Sequence, residues 1–163
     1  MTAMFQSIDA CRHAGFEGFL PVGSLRATRL AEVPQAPGVY LILVPDGTAP
    51  TFLARSPAGH SKGRNPTVTD AALRRAWVPG ARAIYIGKAA TSLRIRLRAY
   101  LAHGAGRAAG HWGGRFIWQL TGADALLVAW REESDRPARI VERELIARFE
   151  EDYGRLPFAN RVR

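Results

Sequence analysis

The stretch that most limits the fold is Gly38-Val39-Tyr40-Leu41-Ile42-Leu43-Val44. Its residues are mostly aliphatic, β-branched or aromatic, with Pro34 and Pro37 before it and an Asp46-Gly47 turn signal after it. Such a run reads as a strand. It is apolar on both sides of the pleat, so it is expected inside a sheet rather than at an edge.

A second organising stretch is Ala83 to Ala102, AIYIGKAATSLRIRLRAYLA. Ala83 to Ile86 reads as a strand that turns at Gly87 into a basic helix. Thr91 or Ser92 is placed to cap that helix, because a hydroxyl there can accept an otherwise unpaired N–H of the first turn. At 100° per residue, Leu93, Leu97, Tyr100 and Leu101 share one arc. Arg94 and Arg98 flank one edge of it and Arg96 flanks the other. Ala125 to Glu132 reads as a further strand. A last helix is expected to be capped by Ser134 or Asp135, to hold Pro137 in its first turn, and to stop near Tyr153 at Gly154. On that helix Val141, Leu145, Ile146, Phe149 and Tyr153 form the apolar arc, and Glu142 lies inside it. A carboxylate on a buried face is costly unless it is paired, hydrogen-bonded or bound to metal. Glu142 is therefore either an ion-pair partner of the basic helix or part of a functional site.

The remaining segments read less sharply. Ala3 to Gly15 is a short helix. Phe16 to Pro34 is mixed, with Phe16, Phe19, Leu20 and Leu25 as core anchors and no visible chemistry. Thr48 to Gly80 is irregular apart from one or two helical turns within Asp70 to Trp77. A loop that long is commonly functional or mobile. Lys62 and Arg64 make it a candidate nucleic-acid contact, and a solvated insertion is the alternative. Arg115 to Leu120 fits a strand or a short helix, and the tail from Leu156 reads as extended.

The 163 residues suffice for one domain with its own core. Twenty-three basic residues against fourteen acidic ones leave a net charge of +9, which suits a phosphate-rich partner through counterion release. Only Lys62 and Lys88 among the basic residues are lysine; a GC-rich genome explains that preference better than it explains the charge surplus. No segment is apolar enough to span a membrane, and none pairs a basic face with exposed aromatics as an interfacial helix does. Cys11 is the only cysteine, which excludes an internal disulfide framework and a cysteine-cluster zinc site. With no continuous apolar stretch near the N-terminus, a reducing cytoplasm is expected.

Taken in order, Gly38-Val39-Tyr40, Tyr85-Ile86-Gly87-Lys88, Arg96 with Leu97 and Tyr100, Glu142-Arg143-Glu144-Leu145-Ile146 and Pro157-Phe158-Ala159-Asn160 resemble the GIY-YIG nuclease family, in particular the nuclease domain of the bacterial excision-repair nuclease subunit. The resemblance implies a single α+β domain over residues 1–163, with a small, mainly antiparallel sheet of three or more strands flanked by helices. Residues 1–36 would be an N-terminal extension and residues 48–80 an insertion between the two tyrosine motifs. It also implies hydrolysis of DNA phosphodiesters, with RNA as a further option, using one Mg²⁺ or Mn²⁺ held by Glu142. In that reading Tyr40 activates water with support from Tyr85, Lys88 stands beside them, Arg96 braces the transition-state charge, and Asn160 orients Glu142 or the metal's waters. Arg94, Arg98, Lys62 and Arg64 are expected as phosphate contacts. Tyr100, Trp118 and Trp130 read as core aromatics, Trp112 is open as a base-stacking platform, and His60, His103 and His111 match no family position. The alternatives are a non-catalytic nucleic-acid-binding module with the same fold, and a protein-interaction domain whose charge reflects the genome.

Overall fold

The computed structural model describes residues 2–108 and 112–161; His111 lies outside them. Strand β2 (Gly38–Leu43) is the expected central strand, and all six of its residues are buried. It pairs antiparallel with β3 (Ala83–Ala89) on one side and β4 (Leu127–Glu132) on the other. A fourth strand, β1 (Glu17–Pro21), pairs antiparallel with β4, so the order is β1-β4-β2-β3. The mainly antiparallel α+β expectation therefore holds, with four strands.

β1 falls in the stretch read as mixed. Its ladder is broken by a bulge between Gly18 and Leu20, and both Gly18 and Phe19 have left-handed backbone torsions. A bulge destroys the two-residue alternation by which a strand is recognised.

Alternation along β2 divides the core. Val39, Leu41 and Leu43, with Ile86 of β3, face α5 (Ala138–Tyr153) and pack on Val141, Leu145, Ile146 and Phe149. Tyr40 and Ile42, with Tyr85 of β3, face α4 (Leu93–Gly104) and pack with Leu93, Leu97, Tyr100 and Trp118. Ser92 is the α4 cap: its Oγ accepts from the Ile95 N–H at 3.3 Å. Smaller helices α1 (Ile8–His13), α2 (Val22–Ala27) and α3 (Asp70–Ala76) complete the layers.

Several expectations need correction. Strand β3 does not turn at Gly87 but runs on to Ala89, because Gly87 and Ala89 pair with Tyr40 and Gly38 of β2. Helix α5 starts at Ala138, not after a Ser134 or Asp135 cap, and Pro137 caps it without a side-chain bond. Proline drives its preceding residue out of the helical region, so the helix cannot extend back through Arg136. Residues 112–119 form 3-10 helix broken by a kink at Gly114, resolving the strand-or-helix ambiguity. The tail is not extended: Asn160 N–H donates to Pro157 O at 3.0 Å, closing a turn.

The 48–80 insertion is largely exposed but is anchored to the domain at several points. Gln119, buried, donates through Nε2 to Leu53 O and Val68 O, and accepts from Val68 N–H at 2.9 Å. His103 Nε2 lies 2.8 Å from Gly59 O, and Gly59 N–H donates to His103 O at 3.0 Å. His103 is thus a buried structural residue of the insertion's seat.

Candidate active site

Tyr40 projects from β2 toward Gly87, its partner across the ladder. The approach requires glycine: a Cβ at position 87 would sit 2.3 Å from Tyr40 Cζ. The Tyr40 ring meets Tyr85 edge-on at 6.0 Å between centroids, and Tyr85 stacks on Tyr100 at 5.6 Å. Tyr100 in turn donates its hydroxyl to Gly114 O at 2.9 Å. Tyr100 is therefore more than filler: it anchors the tyrosine stack to the 112–119 segment.

The Tyr40 hydroxyl is buried and makes no well-formed hydrogen bond among the described residues, although Arg96 and Tyr85 lie near enough for weak hydrogen bonding. A buried hydroxyl left unsatisfied costs on the order of 1–3 kcal/mol and calls for an explanation. Arg96, exposed on α4, and Tyr85 approach closely enough to act on it electrostatically. Burial pushes the Tyr40 phenol well above its ordinary pKa; the Tyr85 hydroxyl adds to the shift and the Arg96 charge opposes it. Tyr85 is raised too, first by burial, with Arg96 pulling the other way and Glu142 adding to the rise. Tyr100 is raised well above normal, again mainly by burial. All three are neutral phenols around pH 7.

Glu142 points from the second turn of α5 to the end of β3. Its Oε1 accepts from Lys88 Nζ at 3.0 Å, with 14% of the glutamate side chain and 43% of the lysine side chain exposed. The carboxylate on the apolar arc is thus partnered by a β3 lysine, not by an arginine of the basic helix. With the lysine end in water the pair contributes at most about 1 kcal/mol. Arg96 acts electrostatically on both Tyr40 and Tyr85, Glu142 acts on Tyr85, and Lys88 joins them through Glu142, a chain of contacts that runs from α4 across β2 and β3 to α5.

Other expected site residues lie elsewhere. The Asn160 side chain donates through Nδ2 to Ile86 O and accepts at Oδ1 from Ile86 N–H, each at 2.9 Å. Its amide holds β3 in place and makes no hydrogen bond to Glu142. Arg94 donates to Val33 O at 2.8 Å and Ala31 O at 3.1 Å, so its guanidinium ties down the 31–33 loop rather than offering a phosphate contact. Arg98, turned about 200° from Arg96 around the helix, lines a groove with Arg26, Arg29, Leu30 and Arg107. Lys62 is exposed beside Gly63 with a left-handed backbone. Arg64 lies over Trp112, 4.5 Å from its centroid, and Arg115 lies 4.6 Å from the same centroid. Trp112 thus holds arginines rather than standing free for a base. Arg115 and Arg161 were not legible as site residues; the placement of Arg115 between Trp112 and Phe116 is the only local signal.

Among the described residues no three His, Cys, Asp or Glu side chains gather as a metal cage. The donor set fits a hard cation that keeps most of its water: Glu142 Oε2 has no hydrogen-bond donor among the described residues, and Mg²⁺ is commonly bound through one or two carboxylates. No protein-family model, curated protein or solved structure matches the chain.

Proposed function

We propose that this chain is a metal-dependent endonuclease that hydrolyses DNA phosphodiesters, as the resemblance to GIY-YIG nucleases implies. The observation that carries the reading is the buried Tyr40 hydroxyl, set against Arg96 and Tyr85, with Glu142, held by Lys88, acting on Tyr85 from α5. A group left unsatisfied in a core is retained where a ligand or water completes it. Tyr40 would orient the attacking water and, in its phenolate form after losing its own proton to solvent, would take the water's proton, with Tyr85 holding Tyr40 in place. Arg96 supplies a planar fork matched to two phosphate oxygens and braces the charge that develops on them. Lys88 holds the Glu142 carboxylate in a fixed pose and adds positive charge beside the phosphate. Glu142 would hold a divalent cation, which would supply Lewis acidity toward phosphate and positive charge favouring the ionised form of a nearby phenol. The lone buried Cys11 suits a reducing cytoplasm.

The closed Lys88–Glu142 pair favours one second reading, a nucleic-acid-binding module that keeps the fold without turnover. One experiment separates them. Purified protein is incubated with plasmid, branched DNA and RNA in Mg²⁺, Mn²⁺ or EDTA, beside Glu142→Gln. Cleavage in Mg²⁺ or Mn²⁺ is expected, abolished by EDTA and reduced at least about 100-fold by the substitution. Cleavage that survives both EDTA and Glu142→Gln overturns the nuclease reading, and salt-sensitive binding without any cleavage selects the module.

A further inference from the structure

Three arginines from distant parts of the chain gather on two aromatic rings. Arg64 comes from the insertion, Arg115 from the 112–119 segment, and Arg161 follows Asn160. Arg64 and Arg115 share the Trp112 ring. Arg115 also lies 5.3 Å, and Arg161 4.6 Å, from the Phe116 centroid. Among the described residues no carboxylate comes within ion-pair distance of any of the three, whereas Arg12, Arg26, Arg74, Arg131, Arg136 and Arg148 each have one. Their own contacts are to nearby backbone: Arg115 Nη1 donates to Trp112 O at 3.3 Å, and Arg64 Nε lies 3.5 Å from Ser61 O. The charges act on one another. Arg115 is lowered from its ordinary pKa, first by burial and then by repulsion from Arg161 and Arg64.

Gathering like charges is unfavourable, and cation–π attraction of about 0.5–1 kcal/mol per exposed contact offsets only part of it. An anion relieves the remainder. Arginine over a ring keeps its in-plane N–H donors available to phosphate oxygens. The cluster is tied to the tyrosine corner at both ends. Gly113 abuts it, since a Cβ there would lie 3.9 Å from the Tyr85 hydroxyl, and Gly114 O receives the Tyr100 hydroxyl. At the other end Asn160, which precedes Arg161, is bonded to Ile86, the neighbour of Tyr85.

We propose that Arg64, Arg115 and Arg161, held by Trp112 and Phe116, form a phosphate track that carries the nucleic-acid backbone leading into the tyrosine corner. The track rests on nucleic acid being the partner in the reading above, but not on catalysis. Binding is measured by anisotropy of a labelled DNA duplex in EDTA over a series of salt concentrations. The variants are Arg64→Gln/Arg115→Gln/Arg161→Gln and a charge-matched control Arg12→Gln/Arg29→Gln/Arg139→Gln. The track triple is expected to lower the slope of log affinity against log salt by about 3 and to weaken binding at least about tenfold, each lost phosphate contact being worth about 0.9 in slope. The control triple is expected to change the slope by less than about 1. Single Arg161→Gln, at an exposed terminal position, should lower the slope by about 1 and serves if the triple fails to fold. Equal losses in the two triples, an unchanged slope in the track variants, or displacement of the DNA by polyglutamate as readily as by unlabelled DNA would each overturn the track. Cleavage is scored separately. A wild-type chain that binds with the predicted slopes but never cuts DNA sinks the nuclease reading alone; cutting with an unchanged slope sinks the track alone.

Discussion

The two sides of β2 are built from different materials. Toward α5 the strand presents Val39, Leu41 and Leu43 to an almost wholly apolar layer. There the one buried side-chain polar atom without a partner among the described residues is Tyr153 Oη, at the end of the helix. Toward α4 the strand presents Tyr40 to a stack of phenols and indole, and Tyr40 Oη, Trp118 Nε1 and His103 Nδ1 all lie on that side without a well-formed hydrogen bond among the described residues. An aliphatic layer gains stability from every contact it makes. An aromatic layer with orphaned donors gives some of that up, and proteins retain such costs where function needs the groups. The α5 side supplies an almost unbroken apolar packing layer, while the α4 side carries the tyrosine cluster.

Leu41→Ala tests the stabilising side, with the largest expected change. Leu41 is fully buried, and truncation should remove about 2–5 kcal/mol of unfolding free energy by chemical denaturation. Cleavage per folded molecule should be unchanged. A loss below about 1 kcal/mol would mean the α5 layer collapses around the gap and is not the rigid half.

Alkali tests the aromatic side. In the folded chain Tyr40, Tyr85 and Tyr100 hold their protons beyond the ordinary phenol range, while unfolded phenols titrate near 10. Above roughly pH 10 the unfolded chain therefore binds fewer protons than the folded one, so unfolding free energy falls as pH rises, by up to about 1.4 kcal/mol per pH unit for each phenol. This stability is intact below about pH 10 and is lost as pH climbs toward the folded values. Cys11, pushed up to about 12 by burial, adds a loss of the same sign beginning near its ordinary 9.0. Urea midpoints across the alkaline range should fall, less steeply in Tyr40→Phe; a flat profile would show the phenols to be wetter than their packing implies.

Tyr40→Phe is expected to move stability least, by under about 1 kcal/mol in either direction, because the hydroxyl it removes has no well-formed hydrogen bond to lose. In the nuclease reading the same change should lower the cleavage rate at least about 100-fold, a typical general-base contribution. A variant that loses several kcal/mol and keeps its activity would reverse the assignment of the two sides.

Where the chain repeats a period, its structure was legible. β2 stood out as an unbroken apolar run, and α4 and α5 as arcs of spacing 3.6. Gly154 was placed correctly as the left-handed residue closing α5, with φ of 73°. β1 was not legible because its bulge removes the period. Helix wheels located Arg96 and Glu142 but could not distinguish Arg94 from Arg98 in role, since the Val33 and Ala31 carbonyls that engage Arg94 belong to a loop no wheel includes. The arginine cluster escaped for the same reason: positions 64, 115 and 161 share no window of sequence and meet only through Trp112 and Phe116.

Asn160 has a consequence beyond the site. As the outermost strand, β3 would offer the outward-facing groups of Ile84 and Ile86 to any strand of another copy. Instead Ala159 N–H bonds Ile84 O, and the Asn160 amide reproduces a donor and an acceptor of an absent fifth strand opposite Ile86. An uncovered edge is a template for aggregation. The turn at Pro157 to Asn160 therefore works as an internal inhibitor of polymerisation: the same hydrogen bonds that steady the strand bearing Tyr85 deny a seat to a neighbouring molecule.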